Sequence, residues 1–207
     1  VDTFESEDQQ VVALKTFWQS YGKPVITGIA IGAIALGGWN YYNNHKQQQN
    51  MVNGIAYQQV VQNLRMNHDK AFGMAEKFAG ENQGNVFGAL ADLQLADEAV
   101  AANRLDLAAK SLQSIVDHPS DDTLKPIAAT RLARVLVAQN KADAALKVLD
   151  AVQDKAYKAS VSELRGDIYL VQKQTDKARA AYQDAVADSK GNVSPVLQMK
   201  LDDISSK

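Results

Sequence analysis

Chemistry at neutral pH needs nucleophiles, coupled titratable groups or metal ligands at set spacings, and this sequence offers few. Its three histidines, His45, His68 and His118, stand far apart, and none has a His or Cys at ligand spacing. Cysteine is absent, which excludes disulfides, thiolate metal sites and a Cys nucleophile. Two carboxylate pairs remain, Asp121-Asp122 and Asp202-Asp203. The first lies in a connector marked by Pro119 and Pro126, where a solvated turn is the expected role. The second falls among the polar residues of a terminal helix. No GxSxG, Walker A or GxGxxG motif occurs. The expectation is therefore no enzyme, with no catalytic, cofactor-binding or metal residues, no cofactor and no small-molecule substrate. Composition adds that nucleic acid is not a partner. The net charge of −2 supplies no basic surface to displace counterions from a polyanion.

What the sequence does position is a membrane anchor. From Pro24 to His45 there is no Asp, Glu, Lys or Arg, and Val25–Trp39 is apolar apart from Thr27. Crossing the hydrocarbon core takes ~20 helical residues. The segment 24–44 meets that length. Trp18 and Tyr21 precede it, and Trp39, Tyr41 and Tyr42 close it, at the level where an amphipathic ring prefers the headgroups. Pro24 suits a first helical turn. A cleavable leader would open with a basic stretch, whereas Asp2, Glu5, Glu7 and Asp8 come first here. Lys15 and Lys23 before the span, against Lys46 after it, favour a cytoplasmic N-terminus. Residues 1–23 form the tail, in which Val11, Leu14, Trp18 and Tyr21 recur at helical spacing and suggest a short interfacial helix. Gly28 and Gly32 make a GxxxG pair, repeated as small-xxx-small by Ala33 and Gly37. Such residues let helices approach closely in lipid, although glycine is common in membrane spans for other reasons too.

Residues 45–207 read as all-α, because no stretch alternates apolar and polar residues as a strand would. Within VSELRGDIYLVQKQTDKARAAYQDAVADS, Gly166 and Tyr169 share one helix, and Ala178, Tyr182 and Ala185 share the next. This resembles a tetratricopeptide repeat: small residues where two helices cross, large ones toward the neighbouring repeat. Moving the template 33 residues upstream gives Leu132, Ala133, Leu136, Ala145, Leu149 and Val152. A further 37 gives Leu95, Ala96, Ala99, Ala108, Leu112 and Ile115. Arg165 stands where the repeat has Leu, the Trp of the repeat is missing, and the turn carries Lys173-Gln174 in place of Gly. A generic helical bundle is the competing reading. The expected order is a lead-in hairpin at 51–88 (helices Met51–Met66 and Lys70–Gly80), repeats at about 89–120, 126–156 and 159–190, and a capping helix at 194–205. Ser194 would cap that last helix and Pro195 would open it.

The first helices of such hairpins line a groove. Here that face carries Leu93, Asp97 and Val100, then Thr130, Arg134 and Val137, then Glu163, Asp167 and Leu170. The mixture suits a peptide or partner helix. The apolar members serve equally well as core residues.

Taken together, the acidic tail, the stretch VVALKTFWQSYGK, the Gly-rich span, the exit GWNYYNNH, the runs TRLARVLVAQNKADAALKVLD and SELRGDIYL, and the ending QMKLDDI resemble the YfgM family of ancillary SecYEG translocon subunits over essentially the whole chain. That resemblance implies a single-pass bacterial inner-membrane protein with its N-terminus in the cytoplasm and its repeat domain in the periplasm. It also implies association with SecYEG and with the membrane-anchored periplasmic chaperone PpiD, assistance to newly exported chains, and no catalytic residues. A membrane-tethered tetratricopeptide adaptor in regulation or envelope assembly, including one facing the cytosol, is the alternative.

Overall fold

Alanine, Leu, Gln and Lys, none of them β-branched, lose little side-chain freedom in a helix, and they are frequent in this chain. In a computed structural model the described residues are 3–66 and 68–205, with side chains at 11–12, 15–66 and 70–204. No strand occurs among them. The side chains of Asp2, Glu5, Glu7, Asp8, Leu14 and His68, on which parts of the tail and histidine readings rest, lie outside the described residues. The chain divides into two units, Val1–Asn53 and Gly54–Lys207.

The first unit consists of helix α1, Thr3–Met66, up to the unit boundary. The sequence suggests a tail helix, a span, a polar connector and a lead-in helix as separate elements, yet α1 is continuous. Nothing in His45-Lys46-Gln47-Gln48-Gln49-Asn50 forbids a helix, since the stretch contains neither Pro nor Gly. Pro24 lies inside α1 and not at its start. Its missing N–H deprives the Ser20 carbonyl of its helical donor. Thr16 and Thr27 hydroxyls donate back to the Val12 and Lys23 carbonyls at 2.8 and 2.9 Å, on the turns to either side. Ile26, Ile29, Ile31, Ile34 and Leu36 are exposed around the whole helix, so no single face is reserved for a protein core. Among the described residues, α1 is the one helix long and apolar enough to cross a membrane.

Among its described residues the second unit takes the end of α1 and eight further helices: α2 His68–Glu81, α3 Val86–Ala101, α4 Leu105–Asp117, α5 Leu124–Ala138, α6 Ala142–Asp150, α7 Lys158–Val171, α8 Thr175–Asp188 and α9 Pro195–Ser205. A single 3₁₀ turn, Lys155–Tyr157, precedes α7, with the Asp154 carboxylate accepting from the Ala156 N–H at 2.9 Å. The template positions form the inside of the hairpins. Ala96, Ala99, Ala108, Leu112, Ile115, Ala133, Ala145, Leu149, Ala178, Tyr182 and Ala185 are all buried. Gly166 shows why a small residue is needed there: a Cβ would stand on the Tyr182 ring, 2.9 Å from Cζ and closer still to Cδ1 and Cε1. Gly88 has the same role against the chain reversal before α3, where a Cβ would lie 2.8 Å from the Asn82 carbonyl carbon.

The hairpin turns repeat in register. Asn103, Asn140 and Lys173 adopt φ of 56°, 60° and 60°. Each donates its N–H three residues back, and the next residue donates five back: Arg104 to Ala99 at 2.7 Å, Lys141 to Leu136 at 2.8 Å, Gln174 to Tyr169 at 2.8 Å. This is the Schellman closure that satisfies the last helical carbonyls. Asparagine tolerates the left-handed region, while Lys173 occupies it at a cost. A polar bond also repeats between hairpins. Gln139 Nε2 donates to Asp106 Oδ1 at 2.9 Å, and Gln172 Nε2 to Asp143 Oδ1 at 2.8 Å, one hairpin on.

The far end is closed by α9. The Leu197 N–H donates to Ser194 Oγ at 3.1 Å, the expected cap. Leu197 and Ile204 pack with Tyr182, and Arg179 Nη2 donates to the Ile204 carbonyl at 3.0 Å. Arg165, which departs from the repeat pattern, pairs with Asp150 at the end of α6, 2.7 Å away.

Candidate partner-binding groove

Helices α3, α5 and α7 are the first members of successive hairpins. The structure places the nine groove residues on these three helices, but in different surroundings. Asp97 and Arg134 are exposed, and Val100 keeps 45% of its surface open. With Ala96, Leu105, Leu112, Arg131, Val135 and Ala138 they line one cavity of about 350 Å³ between α3 and α5. Its floor is aliphatic and its rim is charged. Arg131 Nη1 reaches both Asp97 carboxylate oxygens, at 2.9 and 3.0 Å.

The other groove residues do not join this cavity. Leu93 and Val137 are half-buried and pack against core clusters. The Thr130 hydroxyl donates back to the Pro126 and Ile127 carbonyls, both at 3.0 Å, which serves its own helix. Glu163 and Asp167 meet Lys200 of α9, each 2.8 Å from its ammonium. Asp167 also accepts from the Tyr182 hydroxyl at 2.8 Å. Burial alone would lower the Lys200 pKa, but the hydrogen bonds to Asp167 and Glu163 outweigh it and hold the group above the ordinary lysine value. Burial, helped by the Asp167 hydrogen bond, pushes the Tyr182 phenol up. Leu170 remains 40% exposed beside this cluster.

Arg131 and Lys200 went unnoticed in the sequence. For Lys200 the signal was present: Asp97, Arg134, Asp167 and Lys200 occupy equivalent positions on α3, α5, α7 and α9, and their charges alternate in sign. On α1, a Cβ at Gly28, Gly32 or Gly37 would meet nothing within 4 Å, and Ala33 is exposed.

Asp121 accepts from both the Thr123 N–H, at 2.8 Å, and the Thr123 hydroxyl, at 2.7 Å, which is a turn closing on itself. Those bonds hold its carboxyl below the usual range. His118 ends α4, and His45 contacts Gln49 one turn on at 3.1 Å. No cluster of metal-ligating side chains occurs among the described residues. One buried carboxylate was not foreseen. Asp92 is 7% exposed and opens on a second cavity of about 410 Å³, bordered by Glu76, Lys110, Ser111, Ser114, Asp117 and His118. Burial raises its pKa from 3.8 to about 6, against hydrogen bonds from Ser114 and Ser111 that lower it.

A family model described as a tetratricopeptide repeat-like domain matches residues 15–206. The chain is 38% identical over 206 residues to a protein of Escherichia coli strain K12 named ancillary SecYEG translocon subunit, covering 99% of this chain and 100% of that one. The chain belongs to this family. Proteins of the same name from Neisseria gonorrhoeae and Aggregatibacter actinomycetemcomitans are 28% and 27% identical, each covering 96% of this chain and 97% of their own length. The family model covers the apolar part of α1 as well as the hairpins.

Proposed function

We propose that this chain is a non-enzymatic accessory subunit of the Sec translocon, anchored in the bacterial inner membrane by residues 24–44. Residues 1–23 stand in the cytoplasm and 45–207 in the periplasm. The domain there comprises a lead-in hairpin at 51–88, repeats at 89–120, 126–156 and 159–190, and a cap at 194–205. The face of Gly28, Gly32, Ala33 and Gly37 meets the translocon within the bilayer. The groove of the repeat domain binds a membrane-anchored periplasmic chaperone of the PpiD type, beside newly exported chains. The observation that carries this reading is the end-to-end correspondence with the Escherichia coli relative, over both the apolar helix and the hairpins. Tethering supports it physically. An anchored groove works at high effective concentration, so modest contacts suffice to hold a partner on the same membrane.

The test is in-cell photocrosslinking from Gly32, Val137 and Leu170 of the full chain, with products identified by mass. Gly32 should give translocon adducts, and Val137 and Leu170 chaperone adducts. A cysteine introduced within 46–50 should react with an impermeant maleimide from the periplasmic side. Labelling from the cytoplasmic side alone would replace this reading with a cytosolic adaptor. Adducts to envelope proteins without translocon subunits would point to the assembly adaptor instead.

A further inference from the structure

We infer that the cavity between α3 and α5 receives a partner segment that presents an aliphatic or aromatic side chain next to a carboxylate, with the carboxylate on Arg134. This rests on the reading of the groove as a protein-binding surface, and it names the chemistry recognised there.

Charge accounts for the carboxylate. Arg131, Arg134 and Lys200 are three of the cations on the first helices and α9. Arg131 is held by both oxygens of Asp97, and Lys200 lies between Glu163 and Asp167. Arg134 makes no hydrogen bond or ion pair among the described residues, although its equivalents on the neighbouring helices all do. It is exposed at the rim of an apolar cavity, where a planar guanidinium presents a fork of donors that matches a carboxylate. Asp97 on the same rim disfavours a doubly charged phosphate, which would also want a second unpaired cation. A singly charged carboxylate meets weaker repulsion from Asp97 and is satisfied by Arg134 alone.

The cavity accounts for the apolar neighbour. Ala96, Leu112 and Val135 are buried beneath it, while Val100 and Ala138 are open at its edge. At about 350 Å³ it has the size and lining of a small ligand pocket, and an apolar side chain placed there leaves water at an aliphatic floor.

The test uses the full chain in detergent and three fluorescein-labelled peptides in a Ser/Gly background. One carries adjacent Leu and Asp, the second Leu and Asn, the third Ser and Asp. Anisotropy should show the Leu/Asp peptide binding about tenfold tighter than either of the others. Arg134→Gln should bring the Leu/Asp peptide down to the Leu/Asn level and leave the Leu/Asn peptide unchanged. Arg134→Lys should keep part of the preference. Equal affinity for the Asp and Asn peptides, or an Arg134→Gln loss shared by both, overturns the inference. In that event, chaperone adducts from Val137 and Leu170 would show that the groove still binds a partner by other chemistry. Loss of those adducts as well would overturn the groove reading along with the inference.

Discussion

Asp92 offers the sharpest test of the packing, because its cost depends on pH. The carboxyl sits between α2, α3 and α4, takes hydrogen bonds from Ser111 and Ser114, and has Glu76, Lys110, Asp117 and His118 around the same cavity. Its rise from 3.8 to about 6 corresponds to about 3 kcal/mol at 1.36 kcal/mol per unit. Water in the open cavity screens part of that, leaving ~1–2 kcal/mol. The sign follows from linkage. An acid whose folded pKa lies above its unfolded value binds more protons when folded, so its penalty is complete above pH 6 and relieved as the pH falls toward 3.8. Asp92→Asn keeps an acceptor for the serine hydroxyls and cannot ionise. It should therefore raise Tm by roughly 2–6 °C at pH 7.5, for a domain of this size, and much less at pH 4.5. Thermal unfolding of both proteins, followed by circular dichroism across that range, gives the difference curve, in which titrations common to both cancel. A difference independent of pH, or one that grows toward acid, would refute the reasoning.

Gly166→Val should destabilise the α7–α8 hairpin by about 2–3 kcal/mol, since the new side chain must displace the Tyr182 ring, and urea denaturation would register it. Lys173→Gly should do the opposite, stabilising by about 0.5–1 kcal/mol with an unchanged m-value, because φ of 60° suits glycine. Lys200→Met should cost about 1–2 kcal/mol by leaving Glu163 and Asp167 facing one another without their ammonium, measured as a lower urea midpoint. Gly28→Leu combined with Gly32→Leu should reduce co-purification of translocon subunits while leaving thermal unfolding of the repeat domain unchanged.

Much of the fold could be read from spacing. Small and large residues recurring at 33 and 37 mark where helices cross and where they fill the gap to a neighbour, and each such position is local in its logic. The turns were harder. Lys173 at a left-handed position looks like a departure until Asn103 and Asn140 are seen to share its conformation. The continuity of α1 was also hidden, because the polar composition of 45–50 suggests a connector, although those residues are free to stay helical.

By itself, then, the sequence determined an uncharged apolar segment of membrane-spanning length, an all-helical repeat architecture and the faces those helices turn toward one another. These are matters of composition and period, decided within a few turns of helix. Pairing across the hairpins was decided only by tertiary structure. Asp97, Arg134, Glu163 and Asp167 look alike as groove charges in one dimension. In three, Arg131 takes Asp97, Lys200 takes Glu163 and Asp167, and Arg134 is left exposed over an aliphatic cavity. Which charge finds a partner depends on how far each side chain reaches across a helix crossing, and that distance is a property of the packing rather than of the repeat period.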